Sequence, residues 1–209
     1  MFRNMPPFTR LVLILCIAVA LAQWLLPYDL TELLALHPLD LTHQLPDAYR
    51  LRPWQLITYA FAHGGAGHLI MNMLVLVMFG SALEHYWGTK RYWRYYMICA
   101  LGAAVMQLIA SEYVLQQADG QVAAVVGASG ALFGLLIGYG MHFPERRVML
   151  LIPPIPMKAR TLVILIGLAE TLFGVMGWLP GIAHFAHLGG LLTGFLLNRF
   201  WLRPNPLVH

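Results

Sequence analysis

Six stretches of the chain are almost continuously apolar, at roughly 10–27, 67–86, 92–113, 122–143, 161–179 and 182–202. Each approaches the ~20 residues that a helix needs to cross a hydrocarbon core. Short breaks separate them, among them the proline-rich run from Ile152 to Arg160 and the Pro180-Gly181 turn. The pattern predicts an all-α membrane protein, a six-helix transmembrane bundle forming one domain over residues 1–209. The largest polar interruption, at about 28–65, predicts an outer loop between the first two helices. Its second half mixes Trp54, Leu56, Ile57, Tyr59 and Phe61 with Arg50, Arg52 and Gln55, a composition suited to lying in the interface.

Composition sharpens this picture. Hydrophobic residues make up 59% of the chain and charged residues 11%, whereas an ordinary soluble domain carries about 25% charged residues. So few charges cannot keep the surface of a soluble domain of this size wet, so the lipid bilayer is the expected surrounding. The net charge of +4 is spread over short loops and does not point to nucleic acid. With a cytoplasmic N-terminus, only Arg50 and Arg52 of the 13 lysines and arginines fall outside, and Asp119 is among the outer acids. The positive-inside rule thus predicts cytoplasmic N- and C-termini, with Arg203 inside. The apolar run after Arg10 continues past the small residues Ala18 to Ala20 as far as Trp24, which predicts a retained helix and not a cleaved leader. Cys16 and Cys99 sit in apolar runs without metal or redox spacing and read as packed hydrophobes.

Polar groups inside apolar spans are costly and mark function. His68 and Asn72 stand in the second stretch, Ser129 in the fourth, Glu170 in the fifth, and His184 and His187 in the sixth. Counting from the start of each stretch places Ser129, His187 and the His68/Asn72 pair at one depth. Glycines recur every four residues at Gly130, Gly134 and Gly138, and again at Gly190 and Gly194, which predicts close packing of the fourth and sixth helices.

Ser129 is framed by Gly127 and Gly130, which leave its hydroxyl unshielded. A serine hydroxyl needs a neighbouring base to act as a nucleophile, and His187 can be that base. His68 and Asn72 share a helix face at i and i+4, so both can donate to one developing oxyanion, together with the backbone N–H of Ser129. Glu170 has three readings: a protonated acid bonded between helices, a group that tunes a moving helix, or a third member that orients the histidine. The spacing around Ser129 is not G-x-S-x-G, and no strand–helix alternation suggests an α/β-hydrolase.

Taken together, "GASG" around Ser129, "HLIMN" from His68 to Asn72 and "AHFAHLGGLLTG" from Ala183 to Gly194 resemble the rhomboid family of intramembrane serine proteases. "PWQLITYAFAHGG", "ALEHYWG" and "PPIPMK" add to the resemblance, which covers about 50–200. It implies a catalytic Ser129–His187 dyad without cofactor or metal. It implies an oxyanion site from His68 and Asn72 shaped by Gly127, and substrates that are other transmembrane proteins. It also implies a gate formed by the fifth helix and the turn Trp178 to Gly181, and a bacterial-type six-helix core in a plasma membrane. Two positions depart from the family pattern. Gln55 follows Trp54 where an arginine is common, and Phe133 stands where some members stack a tyrosine on the histidine. His184, one turn before His187, is a further candidate for the site. A catalytically silent binder of transmembrane helices, or a small-solute transporter using the buried His and Glu, are the other classes that fit. The oligomeric state has no signature in the sequence.

Overall fold

The computed structural model describes residues 4–26, 29–41, 43–117, 123–149, 154–177 and 183–201. Asp119, Arg203 and the turn Trp178–Gly181 lie outside them. The described residues are mostly helical, and four of their helices are long and apolar enough to cross a membrane: Pro7–Leu25, Ala66–Trp87, Thr89–Gln116 and Ala159–Met176.

Helix α1 (Pro7–Leu25) begins with proline at its first turn, where the missing N–H costs nothing. Its free N–H groups are capped from another helix: the buried Glu84 accepts from Phe8 N at 2.9 Å and from Thr9 N and Oγ1, each at 2.7 Å. The same carboxylate accepts from Thr89 Oγ1 at 2.8 Å, so Glu84 ties the start of α1 to the start of the helix that opens at Thr89. At the other end of α1, Gln23 exchanges hydrogen bonds with the backbone of His63, at 3.1 and 3.2 Å. Those two clamps align α1 antiparallel to the long helix α4–α5 (Ala66–Val75 and Ser81–Trp87), which is continuous through a π turn at Leu76–Gly80.

Between α1 and α4 the described residues form short pieces: α2 (Leu30–Leu34), a 3₁₀ turn at Asp47–Tyr49 and α3 (Gln55–Thr58). Asp40 organises the loop around the 3₁₀ turn from a left-handed backbone position, φ 52°, accepting from Gln44 N and Leu45 N at 2.8 Å and from Arg50 Nε at 3.0 Å. Burial opposes its charge, but those donors and the Arg50 guanidinium hold its carboxyl below the usual range.

Helix α6 (Thr89–Gln117) lies against both α7 (Ser129–His142) and α9 (His184–Phe200). The glycine spacing explains the contact between α7 and α9. A Cβ on Gly190 would collide with the carbonyl of Gly130, and one on Gly194 would lie 2.9 Å from the Cα of Gly134. On the α6 side, a Cβ on Gly134 would come 2.5 Å from Cys99 Sγ, which puts that cysteine in the packing role its surroundings suggest. A short hairpin of β1 (Arg147–Met149) and β2 (Pro156–Lys158) leads to α8 (Ala159–Met176), which packs on α9 and α7. Only 17% of α8 is buried.

One boundary differs from the sequence reading, with a consequence for the site. The fourth apolar stretch suggests a helix from about residue 122, but α7 starts at Ser129. Val125 pairs instead with Leu36 as an isolated antiparallel bridge, and Gly127 takes φ +126°, which no helix allows. Ser129 is therefore the first residue of its helix, not one buried two turns inside it.

Candidate active site

The described residues place Ser129 at the N-terminus of α7 and His187 one turn into α9. Their helices touch through glycine, so no side chains hold them apart. His187 Nε2 lies 2.8 Å from Ser129 Oγ. The other ring nitrogen, Nδ1, lies 3.0 Å from Glu170 Oε2 of α8. An ionised carboxylate only accepts, so Nδ1 carries the proton and Nε2 keeps its lone pair for the serine hydroxyl. Phe133, one turn beyond Ser129, stacks on the imidazole with centroids 4.1 Å apart and planes 6° from parallel. The ring of the base is thereby held on one edge and one face.

His184 joins from the same helix. Its Nδ1 donates to the same Glu170 oxygen at 2.6 Å, and Phe173 meets its ring edge-on at 6.1 Å. Glu170 is thus bonded to both histidines. Of its three sequence readings, the geometry favours the one that orients the base.

Across from Ser129, His68 and Asn72 project from α4 toward the strained backbone at Gly127. A Cβ at that position would lie 2.7 Å from His68 Cε1, 2.8 Å from its Nε2 and 3.5 Å from Asn72 Nδ2. Only glycine leaves this space open and accepts its φ. His68 Nδ1 accepts from Gly64 N at 3.4 Å, which leaves Nε2 as the protonated, donating nitrogen facing Gly127. Asn72 Nδ2 is buried and has no hydrogen-bond partner among the described residues. A buried donor without a partner is destabilising, so one that persists calls for an occupant. The first-turn N–H groups of α7 add the positive end of a helix to the same place, because Leu132 N is the first that reaches back to Ala128 O, at 3.1 Å.

Two supports have no sequence signal. Gly127 N donates to Tyr59 O at 2.8 Å, and Tyr59 is anchored by its hydroxyl on Ala100 O at 2.7 Å. The segment before α4 therefore fixes the loop that precedes Ser129. Tyr59 reads in sequence as one more interfacial aromatic, yet it is 1% exposed. His63, at the end of that segment, stands edge-on to His68 with centroids 5.2 Å apart. Burial and the neighbouring His68 push its pKa down to about 4.

This constellation coincides with a family match. Residues 50–204 match the Rhomboid domain, three quarters of the chain and every residue of the site. The chain belongs to the rhomboid family. It is 34% identical over 153 residues to RHOMBOID-like protein 4 of Arabidopsis thaliana, covering 73% of this chain and 35% of that protein. To RHOMBOID-like protein 2 of the same plant it is 37% identical over 145 residues, 69% of this chain and 41% of the relative. Rhomboid protein 1, mitochondrial, of Saccharomyces cerevisiae is 33% identical over 141 residues, 68% and 40% of the two chains. This rhomboid chain spans well under half the length of those relatives.

Proposed function

We propose that this rhomboid protein is an intramembrane serine endopeptidase that cuts other membrane proteins in or near their transmembrane helices. The observation that carries the reading is the 2.8 Å contact between Ser129 Oγ and His187 Nε2. The unpartnered donor of Asn72 beside Gly127 supports it from the opposite side.

In this reaction the Ser129 hydroxyl attacks the scissile carbonyl carbon while its proton moves to His187 Nε2. The carbonyl oxygen becomes an oxyanion and accepts from Asn72 Nδ2, His68 Nε2–H and the Ser129 backbone N–H. Collapse of the tetrahedral species expels the amine, which takes the proton from His187. A water molecule then repeats the sequence on the acyl-enzyme, returning the proton to Ser129. Glu170 holds the imidazole in its working tautomer and lies beside the positive charge that forms on it. A helical peptide bond has its carbonyl bonded and covered, so substrates carry small or helix-breaking residues at the cut.

The same reading includes a topology. Residues 1–209 form one membrane domain in which α1, α4–α5, α6, α7, α8 and α9 make six crossings, with α2 and α3 in the outer interface. Both termini lie in the cytoplasm of a plasma membrane, as the distribution of Lys and Arg favours. The chemistry asks for no cofactor. A fluorophosphonate probe tests the proposal on the detergent-purified chain. Labelling is expected on the parent chain and lost in Ser129→Ala and His187→Ala. Labelling that persists in Ser129→Ala refutes the assignment. No labelling of the folded parent chain favours a silent transmembrane-helix binder.

A further inference from the structure

Glu170 Oε2, His184 Nδ1 and His187 Nδ1 lie within 4.8 Å of one another, drawn from two helices into one largely buried cluster. Two imidazole nitrogens and one carboxylate are a recognised ligand set for zinc, with a fourth position left to water. We propose that this triangle is a zinc site, and that the ion switches the serine chemistry off by occupying the rear nitrogen of His187.

The two edges that meet at Glu170 fit with small shifts. Zinc bonds of about 2.0–2.1 Å place tetrahedral ligand atoms about 3.4 Å apart. The present separations to Oε2 are 2.6 Å from His184 and 3.0 Å from His187. Each therefore opens by less than about an ångström to admit the ion. The opening falls on α8, which carries the carboxylate and is the least buried of the four long apolar helices. Both imidazoles are already oriented, one by the stack on Phe133 and one by the edge contact with Phe173. A zinc-bound histidine characteristically donates its second ring N–H to a fixed oxygen, and Ser129 Oγ stands at that place, 2.8 Å from His187 Nε2. Side-chain exposures of 7, 10 and 15% for His184, His187 and Glu170 leave the ion a narrow way in. Two neutral imidazoles and one carboxylate leave a single net positive charge once zinc is bound, far cheaper in a buried place than the bare ion.

The inhibition is a matter of protons. When zinc takes His187 Nδ1, the proton there moves to Nε2, so that nitrogen donates to Ser129 Oγ and no longer accepts from it. His184 makes the same exchange. No proton is lost overall and nothing is oxidised, so a chelator restores the base. The ion site itself stands on the ligand geometry, and its effect on activity rests on the serine-protease reading.

The full chain, stripped with EDTA in detergent, separates the two. Titration with cobalt(II), the visible probe for zinc, is expected to give the absorption bands of one tetrahedrally bound ion per chain, bleached by added zinc. Glu170→Gln and His184→Asn are expected to weaken this binding about 10–100-fold. Thermal unfolding of each variant shows that it is folded. In parallel, zinc is expected to suppress fluorophosphonate labelling of the parent chain reversibly, and to do so about 10–100-fold less effectively in each variant, measured against its own metal-free rate. No cobalt bands, or bands equally strong in both variants, overturn the zinc site. If the metal-free parent chain does not label while cobalt binds as expected, the ion site stands and the protease reading falls. Labelling indifferent to zinc with cobalt bound overturns the switch.

Discussion

Glu170 and His187 meet at 3.0 Å across two different helices, although each stands in a stretch of sequence that otherwise looks built for lipid. The pairing puts a carboxylate behind the histidine proposed as the base. Glu170→Gln keeps the size of the side chain and removes the charge beside the imidazolium. The maximal rate of fluorophosphonate labelling is expected to fall by up to about 10⁴-fold. The half-saturating probe concentration should stay near that of the parent chain, because Glu170 does not touch the bound probe. A purely structural role would instead lower the unfolding temperature and leave the maximal rate of the folded fraction unchanged.

Asn72 makes the opposite trade between stability and rate. Its Nδ2 is buried without a partner among the described residues, so the folded protein carries an unsatisfied donor. Asn72→Ala removes that burden and is expected to leave the thermal unfolding midpoint unchanged or slightly raised. The same change removes one donor proposed for the oxyanion, and the labelling rate is expected to fall about 10²–10³-fold. A midpoint that drops along with the rate would mean that Asn72 serves packing.

The serine, the histidine and the pair on α4 were legible because polar side chains in apolar runs are few, and each has a chemical reason to be there. The glycine repeats likewise announced the α7–α9 contact, since only absent side chains allow a carbonyl to sit where a Cβ on Gly190 would be. The start of α7 was not legible. Residues 123–128 are as apolar as the helix that follows, and what stops them from coiling is a remote partner, Leu36, together with the positive φ of Gly127. Glu170 was visible as an anomaly, but its choice between partners depends on how α8 turns toward α9, which hydrophobic periodicity alone does not specify on a helix so little buried. Tyr59 gave no sign of its role because its useful atom toward Gly127 is a backbone carbonyl.

The glycine contact can be tested by size. Gly190→Ala drives a methyl group into the carbonyl of Gly130 and forces α7 from α9. Overpacking of this kind costs about 1–3 kcal/mol, and here it also separates Ser129 from His187. Denaturant titration in detergent is expected to show that loss, with labelling reduced as well. Gly67→Ala is the control: nothing lies within 4 Å of its Cβ, so the added methyl meets open space in α4. It is expected to stabilise by no more than about 0.5–1 kcal/mol, the value for a helix interior, because Gly67 is the second residue of α4.

The segment before α4 should loosen in acid, through His63. Burial and the nearby His68 lower the pKa of His63 from 6.5 to about 4 in the folded protein. Between those values the unfolded chain binds a proton that the folded chain refuses. Stability is therefore fully present above pH 6.5 and declines as the pH falls toward 4. Other groups titrate in the same window, so the informative quantity is a difference. His63→Gln carries no titrating ring, and its unfolding midpoint is expected to fall less steeply than that of the parent chain from pH 6.5 to 5. The local consequence is measurable too, because the His63 backbone is held by Gln23 and its ring stands against His68. Hydrogen exchange of the backbone around 59–65 is expected to accelerate over that range in the parent chain and much less in His63→Gln. Identical pH dependences in the two proteins would show that the protonation which opens this segment belongs to another residue.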